Sequence, residues 1–311
     1  MMQTNVSLRP FTTLRAGGAA EQFTIVRTHV DLCAALAQAQ AAGPVTILGW
    51  GSNVLPSDAG VPGLTIRNEA RKIEILNDGE VVADSGCGFQ ELFLKAAQAG
   101  LAGLEFAVGI PGTLGGALVS NAGAYRSAIS KHLVEIEIVH EGQRKWVRPG
   151  WMEFSYRNSV LRRANPPNAA ITRVRLRLET GNPVAIYDAA REFQRQRISK
   201  QPPSPSAGSF FKNVEDQAFA ESLDQLPVAL KAAGVTPAGY LIEAVGLKGH
   251  QIGGARVGVR HANFILNIGG ASATDIRRLA EKIAKSVFDR FGVQLEEEVL
   301  YLGDWSGFRP A

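Results

Sequence analysis

Cysteine is nearly missing from this chain: Cys33 and Cys87 are the two it has in 311 residues. That excludes a disulfide framework, and their spacing excludes a cysteine-based zinc site. Long apolar runs are also lacking. No stretch reaches the roughly 20 residues a membrane helix needs, so no membrane association is expected. The first residues lack the charged-then-apolar pattern of a secretory signal. A reducing cytoplasm is the expected compartment. Basic runs interleaved with aromatics are lacking too, which excludes the usual nucleic-acid footprint. Charge of one sign does not dominate, because 33 basic and 29 acidic residues leave a net +4. That small excess suits a cleft for an anionic small molecule.

What remains is ordinary for a globular protein, with 45% hydrophobic and 20% charged residues. The length is enough for two or three lobes, and a monomer is expected. Periodicity divides the chain. Residues 28–43 read as a helix, with Thr28 and Asp31 as a capping box, Leu32 and Leu36 on one face, and Gly43-Pro44 as its end. Cys33 lies in that helix as an expected core residue; Cys87, between two glycines, is a small packing residue or lies near a cofactor. Residues 45–48 and 64–66 read as strands, and 72–76 and 81–84 as a hairpin through Asn77-Asp78-Gly79. A helix over 89–99 closes at Gly100. Residues 134–140 and 145–148 form a second hairpin. Arg173, Arg175 and Arg177 alternate with Val174, Leu176 and Leu178, the period of a half-buried strand with a solvated arginine face. A break spans 188–205: residues 191–200 are basic and helical, and Pro202, Pro203 and Pro205 stop them. Thr236-Pro237 opens a helix that Gly246 ends, and 262–268 reads as a strand. The stripe Ile276, Leu279, Ile283, Val287, Phe291 predicts a helix capped by Gly292, and 300–302 is a last strand.

Four segments carry candidate chemistry. GWGSNVL at 49–55 follows a strand. Gly49 and Gly51 let successive N–H groups converge, and Ser52 and Asn53 add donors. It is either a phosphate nest or an ordinary turn. GIPGTLGGALVSNAGAY at 109–125 has Gly109, Gly112, Gly115 and Gly116 at a density that argues against a helix, with Pro111 fixing one turn. It is either a tight bend or the second loop of a site for a dinucleotide such as FAD. FSYRNS at 154–159 offers Arg157 as a surface residue or as a fork aimed at a carboxylate. SAGSFFKN at 206–213 places Ser209 between a glycine and two aromatic rings. No base adjoins it, and Phe211 stands where a hydrolase elbow needs glycine, so a placed proton donor is the better reading. The run Glu296-Glu297-Glu298 is either a wet turn or the start of a strand. In a strand, Leu295, Glu297 and Val299 share one side, and one acid turned inward would have its pKa raised.

In this order, GWGSNVL, IPGTLGG with NAGAY, SYRNS, SAGSFFKN and LEEEV strongly resemble the UDP-N-acetylenolpyruvoylglucosamine reductase family, from about Thr13 to Leu302. The resemblance implies an α+β fold: a two-part FAD-binding domain of the vanillyl-alcohol-oxidase type plus a smaller α+β substrate domain. It suggests parts at 1–68 and 69–190 for FAD, 191–297 for substrate, and 298–311 as a strand and tail returning to the FAD domain. It implies that Gly49, Gly51, Ser52, Asn53, Leu55, Gly109, Ile110, Pro111, Gly112, Gly115, Gly116, Asn121, Ala122, Gly123 and Tyr125 bind FAD. No histidine occurs in 50–55, so the FAD is expected to be noncovalent. Arg157 matches the family's carboxylate-binding arginine, Ser209 its proton-donating serine and Glu298 its catalytic glutamate. Lys200, Asn213 and Tyr156 match substrate contacts. The short interval from Arg157 to Ser209 places the chain in the compact subclass, lacking a tyrosine-bearing loop; Tyr125 or Tyr240 is open as its substitute. Val214 stands where a proline usually follows Lys-Asn.

The implied reaction is reduction of a UDP-sugar enolpyruvyl ether, with NADPH as co-substrate, in peptidoglycan precursor synthesis. Hydride would come from flavin N5. Arg157 and a protonated Glu298 would stabilise the charge that builds on the carboxylate, and Ser209 would protonate the other carbon. Two alternatives stay open: another FAD oxidoreductase of the same fold acting on an alcohol or hydroxy acid, and a non-catalytic regulator that binds a sugar nucleotide.

Overall fold

Alternating and helical apolar patterns place each element, and glycines with positive φ end many of them. The computed structural model describes residues 2–39 and 43–309. Chain contacts group into two compact units. The first comprises Met1–Val6, Ala20–Gly51 and Pro62–Ser199; the second comprises Ser7–Ala19, Ser52–Val61 and Lys200–Ala311.

In the first unit, α1 (His29–Ala39) starts where the Thr28 hydroxyl accepts the Asp31 N–H at 3.1 Å. Leu32 and Leu36 form its buried face, while Cys33 is half-buried rather than core. The expected extension over 40–42 lies outside the described residues. A four-stranded sheet runs in the order Gln3–Ser7, Ala19–Val26, Val61–Asn68, Val45–Leu48, with the last pair parallel. A five-stranded sheet runs in the order Gln143–Val147, Leu133–His140, Ala169–Arg177, Glu80–Asp84, Ile73–Ile75, with its pairs antiparallel. Against it pack α2 (Phe89–Gln98) and α3 (Leu114–Val119), whose Phe89, Phe93, Leu114 and Leu118 join Ile136, Ile138, Val174 and Leu176 in one core. Cys87 is buried in that core, which drives its thiol pKa far above the usual range.

Three expectations change here. Gly115 and Gly116 lie inside α3, although glycine density argues against a helix. The Thr113 hydroxyl caps it by accepting the Gly116 N–H at 3.3 Å, and Gly115 has no room for a side chain, because a Cβ would lie 3.0 Å from the Ser85 carbonyl oxygen. Tertiary packing outweighs the roughly 1 kcal/mol helix cost of each glycine. Next, α4 is a continuous helix over Pro183–Lys200, so no break begins at 188; the prolines do end it. Finally, the arginine row is ion-paired rather than simply solvated. Arg173 forks onto buried Glu137 at 2.8 and 3.0 Å, Arg175 meets Glu80 and Glu135, and Arg177 meets Glu80.

In the second unit, a four-stranded antiparallel sheet runs in the order Ser206–Ser209, Phe264–Asn267, Ala255–Val257, Gln251–Ile252. Short helices α5 (Gln217–Ser222) and α6 (Val228–Ala232) follow the first strand. Then come α7 (Ala238–Ala244), ended by Gly246 at φ 74°, and α8 (Ala273–Phe291), capped by Gly292 at φ 69°. Ile276, Leu279, Ile283 and Val287 of α8 are fully buried with Phe210, Phe211 and Leu241. Leu300–Leu302 pairs in parallel with Val54–Pro56.

Candidate active site

In the first unit the glycine-rich segments meet. Gly49 follows its strand directly, and a Cβ there would lie 2.5 Å from the Thr113 hydroxyl oxygen. A Cβ on Gly88 would lie 3.0 Å from the Trp50 ring. Thus 49–51 and 112–116 approach as backbone to side chain, which larger residues would prevent. The Gly49 carbonyl accepts from Arg67. Gly51, Gly109 and Gly112 take φ of 64°, 70° and 133°. Ile110 packs against the core, and Pro111 is exposed. The Ala122 N–H donates to the Ala117 carbonyl at 2.7 Å. Gly123 opens a tight hairpin in which Ala124 pairs with Ser127. Its two central residues, Tyr125 and Arg126, have φ of 54° and 63°, a type I′ turn.

That turn presents Tyr125 to α4. Its ring stacks on Phe193 at 3.9 Å and its hydroxyl donates to the Phe193 carbonyl at 3.1 Å. Arg157 lies near enough to Arg197 of α4 for its charge to act on it. Ser155 and Asn158 exchange two 3.2 Å backbone hydrogen bonds, which leaves Tyr156 and Arg157 at the tip of a tight turn. Arg157 holds φ 51°, an unusual conformation for a residue with a side chain, and its guanidinium lies 5.7 Å from the exposed Tyr156 ring. The Asn121 amide donates to the Ser155 carbonyl at 3.0 Å, tying this turn to the glycine-rich segment.

In the second unit Gly208, at φ 80°, forms a bulge between Ser206 and Ser209 in their pairing with the neighbouring strand. Ser209 is half-exposed while Phe210 and Phe211 are buried. Asn263, buried and not foreseen from the sequence, clamps the segment. Its carbonyl accepts the Phe210 N–H at 2.7 Å, and its side chain bonds the Phe211 N–H at 2.9 Å and the Phe211 carbonyl at 2.8 Å. The acidic run lies alongside. The Glu298 N–H donates to the Phe210 carbonyl at 2.8 Å, and the Lys212 N–H donates to the Glu296 carbonyl at 2.8 Å. The backbone of the serine segment and that of Glu298 are therefore adjacent. The alternation holds at 295–299, with Leu295 and Val299 buried. Glu297 turns toward that core, accepting from the Tyr301 hydroxyl at 2.7 Å, and burial raises its pKa. Glu296 pairs with Lys212 on the exposed side.

The other expected residues make the following contacts. Asn53 directs one amide donor to the Glu298 carbonyl at 3.0 Å, so it holds the acidic run as well as standing beside Ser52 in its loop. Leu55 is fully buried in the core. Asn213 accepts the Ala238 N–H at 3.3 Å at the start of α7. Lys200 is exposed at the end of α4.

Two polar atoms of the first unit test whether a cofactor fits. The Asn121 side-chain oxygen and the Arg197 Nε are both buried without a hydrogen-bond partner among the described residues. A polar ligand held by the glycine-rich segment would satisfy such groups, and the residues present fit a dinucleotide. A model of the FAD binding domain matches residues 20–147, which contain both glycine-rich segments, and a model of the UDP-N-acetylenolpyruvoylglucosamine reductase C-terminal domain matches residues 199–302. A UDP-N-acetylenolpyruvoylglucosamine reductase from Synechococcus sp. (strain JA-3-3Ab) is 42% identical over 98% of this chain and 92% of its own length. The chain belongs to that family. A reductase of the same name from Rubrobacter xylanophilus is 38% identical over 96% of this chain and 94% of its own. The crystal structure of the reductase (MurB) from Thermus caldophilus superposes with a TM-score of 0.78 at 33% identity, covering 97% of this chain and 100% of that one. Membership of the reductase family carries the expected α+β class with an FAD-binding domain. Among the described residues no helix is long and apolar enough to cross a membrane.

Proposed function

We propose that the protein reduces the enolpyruvyl ether of UDP-N-acetylglucosamine-enolpyruvate to UDP-N-acetylmuramate in peptidoglycan precursor synthesis, with NADPH as co-substrate and noncovalently held FAD. Family membership over nearly the whole chain supports the reaction. The observation that carries the residue assignment is the 2.8 Å bond from the Glu298 N–H to the Phe210 carbonyl, which sets an acid beside the serine segment. FAD, when bound, supplies hydride to the terminal vinyl carbon of the ether.

The chain's residues manage charge and proton. Arg157 binds the substrate carboxylate, using the planar fork suited to two parallel hydrogen bonds. As negative charge grows on that group, Glu298, in its acid form, donates a hydrogen bond to it. Each such donor contributes about 3 kcal/mol of transition-state stabilisation. Ser209 gives its hydroxyl proton to the carbon next to the carboxyl. An alcohol is a weak acid in water; against a strongly basic carbon, at a preset distance, it suffices. Asn263 and the Gly208 bulge fix the backbone on either side of Ser209. Lys200, Asn213 and Tyr156 bind the sugar nucleotide. The residues of 49–55 and 109–125 named above hold FAD, with 1–68 and 69–190 as its two parts, 191–297 as the substrate part and 298–311 as the segment that carries Glu298. A cytoplasmic monomer without nucleic-acid or membrane partners completes the proposal.

The half-reactions separate the roles. Ser209→Ala is expected to leave anaerobic bleaching of the flavin by NADPH within a few-fold of wild type. Reoxidation by the enolpyruvyl nucleotide should slow by about a hundredfold or more. Equal loss in both phases would remove the serine from the proton step.

A further inference from the structure

Arg197, on α4, has surroundings that a surface arginine lacks. Its guanidinium lies over the Tyr125 ring, 5.5 Å from the centroid, and one terminal nitrogen donates to the Phe106 carbonyl at 3.2 Å. Its stem presses on the glycine-rich segment, where a Cβ on Gly109 would lie 3.1 Å from Arg197 Cδ. Its Nε is buried and has no hydrogen-bond partner among the described residues, and no carboxylate there forms an ion pair with it. Burial lowers its pKa, Tyr125 opposes this, and the charge of Arg157 lowers it further. A half-buried cation next to a second cation, with one donor unsatisfied, lacks a counter-charge.

We propose that Arg197 is an anion-binding residue of this site, its Nε donating to an anionic oxygen of a bound ligand. The inference rests on the reductase reading above. Two sources carry that chemistry: FAD and the enolpyruvyl nucleotide. Tyr125 and Phe193 fix the approach, since the turn at 125–126 stacks on α4 and closes one side of the guanidinium.

The test uses Arg197→Gln and Arg197→Lys in the full chain, with circular dichroism and melting curves to select folded protein. In one arm, apoprotein is titrated with FAD and quenching of flavin fluorescence gives Kd. In the other, FAD-saturated protein is titrated anaerobically with the enolpyruvyl nucleotide, followed by the flavin spectrum. A tenfold or greater rise in Kd for Arg197→Gln in the first arm assigns the oxygen to FAD, and in the second arm to the nucleotide. Arg197→Lys, which keeps the charge but lacks Nε, should recover only part of the loss. Values within twofold of wild type in both arms overturn the proposal. Wild-type turnover of the enolpyruvyl nucleotide is measured separately, so a failure of the reductase reading is told apart from a failure of this one.

Discussion

Three neighbouring glutamates have three different fates, and extended-chain alternation decides them. Glu296 faces Lys212, Glu297 is drawn toward the core against Tyr301, and Glu298 is half-buried with its N–H fixed on the Phe210 carbonyl. The sequence legibly assigned the sides, because a period of two follows from backbone geometry. It did not indicate that Glu297 bonds Tyr301 and has its pKa raised by burial. Burial depends on what packs behind the strand, here α8 and Tyr301. Glu298→Gln keeps a hydrogen-bond donor yet cannot lose or regain a proton. It is expected to slow flavin reoxidation by the enolpyruvyl nucleotide by about a hundredfold while leaving NADPH reduction unchanged, as read by anaerobic stopped-flow. A wild-type oxidative phase would remove Glu298 from the reaction.

At the level of elements, the helices were legible wherever a stripe and a stop coincide. For α8 the sequence supplies Ile276, Leu279, Ile283 and Val287 on one face and Gly292 at the end, and the structure has Ser272 and Asp275 as a capping box as well. The short α3 was not legible. Its two glycines oppose a helix locally, and only contact with Ser85 and Thr113 explains them. The same contact yields a prediction. Gly49→Ala would drive a methyl into the Thr113 hydroxyl that caps α3, a clash worth roughly 1–3 kcal/mol. Both melting temperature and FAD affinity should fall. Gly150→Ala, at a position with open space, should change neither. FAD affinity equal in the two variants would separate this contact from cofactor binding.

Across the whole molecule, two carboxyls, one in each unit, answer pH with opposite sign. In the first, burial pushes the Glu137 pKa up, but hydrogen bonds from Arg173 and Thr172 and the charges of Arg173 and Arg144 outweigh it and hold the carboxyl below its usual range. A depressed carboxyl pKa adds stability above its unfolded value and loses it as pH falls through the folded value. Glu137→Gln should therefore cost roughly 3 kcal/mol at pH 7, with the difference closing in acid. In the second, burial raises the Glu297 pKa, so its contribution is most favourable below the unfolded value and declines as pH rises through the folded one. Glu297→Gln, which still accepts from Tyr301, should raise the melting temperature at pH 8 and match wild type near pH 4. Melting curves across that range read both signs.

The sequence by itself determined the helix faces, the glycine stops, the strand alternation and the order of the five motifs. All of these follow from periodicity and backbone allowance over a few residues. Only the tertiary structure decided that Asn263 clamps Phe210 and Phe211, that the serine segment lies beside residues 296–298, and that Arg197 meets the 109–125 segment through Gly109 and Tyr125. Those pairings join residues more than fifty positions apart. No local pattern encodes them, because they form only when separately folded elements bury their apolar faces in a common core.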